Sequence, residues 1–183
     1  MDKLKELDNK LTALDFDLKA MMDEIQFQEI ETFKFEDFSN RELDFKEFNF
    51  KGLYMFEIKN NGFFEDINDW KNDFTKRWCD EEFLRKFVPN VRKKRLKELT
   101  DTNQEWIPLY IGKSRSVGKR IHEHIYKPIE KTTFAMKLKA RHNLSNEVFR
   151  ISAVKIDVNN YNWIVPVLEN ELRNRLNPIV GKQ

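Results

Sequence analysis

The 183-residue chain has a single cysteine, Cys79, and no apolar run long enough to span a bilayer. A lone thiol excludes an internal disulfide and a thiolate zinc cluster, and nothing in the chain requires an oxidising compartment. The N-terminus lacks the apolar core of a secretion signal, so the expectation is a soluble, cytoplasmic protein with no membrane partner. Internal repeats and low-complexity tracts are absent as well. The length fits one domain with elaborations around a sizeable core.

Charge is present in quantity but unevenly placed. The formal net charge is only +2, yet residues 1–50 carry seven Lys plus Arg against fourteen Asp plus Glu, and the remainder carries 26 against 17. A basic body suits a polyanionic partner, and an acidic leader can shield it, solubilise it or repel misplaced nucleic acid.

Leu4, Leu7, Leu11, Leu14, Leu18, Met21 and Ile25 are spaced alternately by three and four residues, an a/d heptad seam over three heptads. Two readings stand side by side: a coiled coil with a second subunit, or a helix packed on its own domain. Seven Phe among many acids at 27–50 read as an irregular connector anchored to the core, because the neighbouring carboxylates repel phosphates.

Residues 52–58 read as a strand, with Leu53, Met55 and Glu57 on one face and Tyr54, Phe56 and Ile58 on the other. Asn60-Asn61-Gly62 signals a turn, and Thr100 to Asn103 a polar turn. Between 69 and 99 the pattern is helical, interrupted at Pro89, and 85–97 holds seven basic residues and no acid. Within it Arg92, Lys93, Lys94 and Arg95 are candidates for nucleic-acid contact, although such a run also serves as an ordinary solvated face. Residues 130–144 look helical and basic, 149–158 form a well-buried strand, and 163–176 form a helix ended by Asn177-Pro178.

The stretch from Leu109 to His124 carries the chemistry. A strand runs into Gly112, Ser116 is placed to cap a helix beginning near Val117, and Val117, Ile121 and Ile125 make its core stripe. Arg120 and His124, four residues apart, project together beside the strand that bears Tyr110. A phenol, a guanidinium and an imidazole at a glycine turn suit a phosphate. Glu169 sits at the edge of the last helix's apolar stripe, where it can also simply pair with Arg173.

Gly52-Leu53-Tyr54, then Tyr110-Ile111-Gly112, then Arg120 and His124, then Leu168-Glu169-Asn170 followed by Asn177-Pro178, form an ordered set that resembles the GIY-YIG nuclease family. The resemblance covers 52–58 and roughly 106–180. It implies an α/β (α+β) fold, a small, mostly antiparallel three-stranded sheet of residues 52–58, 106–111 and 149–158 flanked by helices. Residues 1–50 would be an acidic helix and Phe-rich connector, and 51–183 the nuclease-like core with a long insertion at 59–105. The Asn that closes the family pattern is not evident near Gly181.

The resemblance also implies roles. Glu169 would hold one Mg²⁺, with Mn²⁺ able to substitute and water completing the octahedron. Arg120 would neutralise the scissile phosphate, His124 bind or polarise it, Tyr110 orient water or phosphate, and Tyr54 take the water's proton. A tyrosine with a pKa of about 10 needs nearby positive charge for that role, and Lys113 and the metal are the expected sources. His122 and His142 read as surface residues. The implied activity is a Mg²⁺-dependent endonuclease on double-stranded DNA, its size fitting a stand-alone restriction enzyme. On this reading the basic insertion with Trp70, Trp78 and Trp106 enters a groove, and a double-strand cut calls for a homodimer. The alternatives are a structure-specific repair or mobile-element nickase, and a nucleic-acid-binding module without activity.

Overall fold

A computed structural model describes residues 1–38, 42–60, 66–101 and 104–181. Two of the turn signals, at Asn61-Gly62 and Thr102-Asn103, lie outside the described residues. The fold is mixed α+β, and its centre is one antiparallel sheet of four strands. These are β1 (Gln28–Phe33), β2 (Gly52–Lys59), β4 (Trp106–Ser114) and β5 (Phe149–Lys155), in the order β1-β5-β2-β4. Strands β2, β4 and β5 are the three expected from the sequence. The fourth is a correction: part of the supposed irregular connector pairs with β5 from Gln28↔Ala153 to Phe33↔Phe149. Its Glu29 and Thr32 are exposed, as an edge strand allows, and Phe33 turns into the core.

The period-two pattern of β2 separates two apolar layers. Tyr54, Phe56 and Ile58 face helices α2 (Ile67–Trp78) and α4 (Val117–Tyr126), which contribute Trp70, Phe74, Trp78, Val117, Ile121 and Ile125. Leu53 and Met55, with Ile111 of β4, face α5 (Tyr161–Leu176) through Tyr161, Val165, Leu168 and Leu172. The central strand is thus covered on both sides.

The insertion differs from its sequence reading. After α2 the chain turns, then Asn90–Val91 forms β3, which pairs with β6 (Val180–Gly181), and only Lys93–Glu98 is helical, as α3. Pro89 cannot donate to a helix, and the Asn90–Val91 backbone finds its partners in the C-terminal segment instead. Residues 130–144 hold two short 3₁₀ turns, Leu138–Ala140 and His142–Leu144, in place of the expected helix. Lys137 enters them in the left-handed region at φ 58°, where its buried side chain donates to the Ile129 and Lys131 carbonyls.

The three tryptophans expected to enter a groove do not reach out to bases. Trp70 and Trp78 are buried, and the Trp78 indole donates to the Pro89 carbonyl at 2.9 Å, so both are core residues. Trp106 lies half-buried under the Arg150 guanidinium, 4.4 Å from its ring centre. The N-terminal helix α1 (Asp2–Ala20) stops short of the full heptad span and passes into a 3₁₀ turn, Met21–Glu24, where Met22 is buried rather than Met21. Among the described residues no helix is long and apolar enough to cross a membrane.

Candidate active site

Helix α4 fixes one half of the site. Its start is capped from outside: the Asn49 side-chain oxygen accepts from the Lys119 N–H at 2.9 Å and from the Ser116 hydroxyl at 2.7 Å. Ser116 is the N-cap residue by position, but its side chain makes no capping bond. Gly118 allows the close approach, since a Cβ there would lie 2.0 Å from the Phe45 carbonyl oxygen.

From the far turn of α4, His124 is fully buried against the sheet, and its Nε2 lies 2.9 Å from the Tyr54 hydroxyl. Its other nitrogen, Nδ1, accepts from the Met136 N–H at 3.2 Å. A ring nitrogen that accepts carries no proton, so in the neutral ring the proton is on Nε2, which donates to the Tyr54 oxygen. Burial, helped by the Arg120 charge, holds His124 well below the ordinary imidazole pKa and keeps it neutral. The tautomer is therefore set by a backbone amide twelve residues away.

Tyr54 faces Gly112 across the β2–β4 ladder. A Cβ at Gly112 would lie 2.3 Å from the Tyr54 hydroxyl and 2.9 Å from the Tyr110 ring, so only glycine lets the phenol lie across the strand. The two tyrosine rings stack with centroids 6.2 Å apart, and His124 sits 4.7 Å from the Tyr110 ring. Burial, reinforced by Tyr110, pushes the Tyr54 hydroxyl well above the ordinary phenol value, while Arg120 pulls it down. Burial wins, and Tyr54 is protonated at neutral pH.

Arg120 donates through Nη1 to Glu123 at 2.7 Å and through Nη2 to the Phe134 carbonyl. Burial alone would weaken its charge, but Tyr54 and Glu123 outweigh that and raise its pKa. Its fork is thus already oriented, with N–H groups left over for a further acceptor.

The other half of the site is Glu169, buried on α5. One carboxylate oxygen pairs with the Lys113 ammonium of β4, and the other lies 2.8 Å from Arg173 Nη2. Arg173 is itself held by the Ile111 carbonyl, which accepts from Nε at 3.3 Å and Nη2 at 3.1 Å. The pairing with Arg173 foreseen as the simple alternative is therefore formed. Lys113 is placed on Glu169, and the cation that acts on Tyr54 is Arg120.

Tyr54, Tyr110, Arg120 and His124 thus form one cluster and Lys113 and Glu169 a second, with Glu169 near enough to raise the Tyr54 pKa. The basic run lies beside α5, the helix that carries Glu169. Lys93 and Lys94 are exposed, Arg95 donates to the Asn174 side chain and the Arg173 carbonyl on α5, and Arg92 packs against Gly181. His122 and His142 are surface residues beside Glu42 and Glu82. Compared with known proteins, the chain matches no family model, no curated protein and no solved structure.

Among the described residues no group of three or more His, Cys, Asp or Glu gathers for a metal. Glu169 offers one hard oxygen donor, which fits a divalent ion completed by water. That ion would compete with the Lys113 ammonium, whose side chain is about one-third exposed and has a flexible stem. The sequence did not point to Asn49 or to the Met136 amide, because their partners lie 67 to 70 and 12 residues away with no local pattern linking them.

Proposed function

We propose that the protein is a metal-dependent endonuclease of the GIY-YIG type that hydrolyses phosphodiester bonds of double-stranded DNA, as a sequence-specific restriction enzyme in the cytoplasm. What supports this reading is one convergence. Tyr54 from β2, Tyr110 from β4, and Arg120 and His124 from α4 share hydrogen bonds and ring contacts in the space that Gly112 leaves open, with Glu169 in electrostatic reach.

Glu169 is the residue to hold Mg²⁺, or Mn²⁺ in its place, and the ion when bound supplies charge relief on phosphate oxygens and a more acidic water. Arg120 offers its remaining N–H groups to the scissile phosphate. Tyr54 first loses its phenol proton to solvent, because His124 already carries hydrogen on the facing Nε2, and the resulting phenolate then accepts the attacking water's proton while keeping the Nε2–H donor and the nearby Arg120 charge. Because burial keeps Tyr54 protonated at rest, this step depends on positive charge added at the site. Tyr110 stacks on Tyr54 and fixes the ring.

One observation favours a second reading, a nucleic-acid-binding module without cleavage. Both Glu169 oxygens are already matched by cations, as in a structural ion pair. The test is incubation of the protein with a large defined DNA and Mg²⁺, followed by sequencing of the product ends. Discrete fragments with a shared end sequence are expected, and Glu169→Ala abolishes cleavage while DNA binding survives. Random fragments overturn sequence-specific restriction, and equal activity in Glu169→Ala removes Glu169 from the chemistry. Tight binding without cleavage in either Mg²⁺ or Mn²⁺ decides for the second reading.

A further inference from the structure

Helix α1 has no buried residue. Leu4, Leu7, Leu11 and Leu14, four consecutive a and d positions, are 70, 56, 52 and 50% exposed. The molecule grips only its far end: Leu18 and Ile25 are half-buried with Met22 against α5, and Arg175 reaches Asp23 at 2.7 Å and the Lys19 carbonyl at 2.9 Å. Residues 2–14 of the helix are exposed to water, and an isolated helix of that length is marginal. Its leucine seam needs a cover that the described residues do not provide.

We infer that this cover is the same helix of a second copy, paired parallel and in register as a two-stranded coiled coil over Leu4 to Leu14. Charge decides the occupant and the direction. With Leu4 and Leu11 at a, the g positions are Lys3 and Lys10 and the e positions are Asp8 and Asp15. In a parallel pair each g residue meets the e′ residue five places on, which sets Lys3 against Asp8 and Lys10 against Asp15 of the other copy, twice over by symmetry. An antiparallel pair with matched leucine layers instead sets Asp8 against Asp15, like facing like. In the monomer Lys10 pairs with Glu6 and Asp15 with Lys19 on exposed helix surface, and such pairs rearrange at little cost. The twofold runs along the helix pair, so both folded bodies hang from the same end. This inference stands on α1 alone and does not depend on nuclease activity.

Sedimentation equilibrium of the full chain tests it, with unfolding of the body followed separately by near-ultraviolet circular dichroism. The wild type is expected at twice the monomer mass of 22.2 kDa. Leu7→Glu with Leu11→Glu is expected at the monomer mass with an unchanged body signal. Lys3→Glu with Lys10→Glu, and Asp8→Lys with Asp15→Lys, are each expected to be monomeric alone and to form a mixed dimer when combined. A monomeric wild type at high micromolar concentration, or a dimer that survives the leucine changes, overturns the interface. Failure of the two charge-reversed chains to pair overturns the parallel register.

Discussion

Gly112 shows how closely one residue constrains this site. The Tyr54 phenol occupies the space where any side chain at Gly112 would begin, with Tyr110 closing the other side. Gly112→Ala forces the tyrosines from their stacked positions at a cost of about 1–3 kcal/mol, the range for overpacking a filled core. Chemical denaturation measures that loss, and any DNA cleavage falls with it. His124 gives a pH-dependent counterpart. Burial holds its folded pKa well below the unfolded value of about 6.5, so at acid pH the unfolded chain binds a proton that the folded chain refuses. Its contribution is complete above that value and is lost as pH falls from there toward the lowered folded pKa. Urea unfolding between pH 7.5 and 5 therefore shows declining stability in the wild type, and a shallower decline in His124→Gln.

Elements depend on partners far along the chain, and this separates what the sequence revealed from what it concealed. Strands β2, β4 and β5 were legible because burial on two faces writes itself as a short, nearly continuous apolar run, with Leu53 and Met55 on one side and Tyr54, Phe56 and Ile58 on the other. Strand β1 was concealed because an edge strand needs few apolar residues, and Glu29 and Thr32 remain in water. The supposed helix through 85–97 failed because Asn90–Val91 is satisfied by Val180–Gly181, a contact no local pattern announces. The same holds at the site: the order of Tyr54, Tyr110, Arg120, His124 and Glu169 was readable, but the proton position on His124 depends on the Met136 amide. The α4 cap illustrates the energetic side. Asn49 comes from 67 residues upstream and satisfies an orphan N–H that Ser116 leaves unmet. Asn49→Ala is expected to cost about 1 kcal/mol, as for other lost caps. Equilibrium unfolding measures it, and because α4 carries Arg120 and His124, the cleavage proposed above is expected to fall further than stability alone explains.

At the scale of the molecule, the sheet order separates the acids of β1 from the candidate site. Strand β1, with Glu29 and Glu31, lies at one edge, and β4, with Tyr110, Gly112 and Lys113, lies at the other. Three strand spacings of roughly 4.8 Å put these edges about 14 Å apart. That exceeds the screening length of about 8 Å at physiological salt, so the acids of β1 do little to the potential at the candidate site. The exposed cations Lys93 and Lys94 begin α3, which α5 holds through Arg95, and α5 also carries Glu169. On the proposed function, a duplex bound at Glu169 would have these lysines on a neighbouring element, where they would meet phosphates rather than base edges. Each phosphate contact adds about 0.9 to the slope of log affinity against log salt. Lys93→Ala with Lys94→Ala is expected to weaken DNA binding uniformly across sequences and to flatten that slope by about 1.8. Glu29→Gln with Glu31→Gln, which changes charge by the same amount at the far edge, is expected to leave the slope unchanged. Fluorescence anisotropy titrations over a range of salt concentrations measure both. An equal response to the two pairs of changes would mean that net charge, and not the placement of α3 beside α5, governs binding.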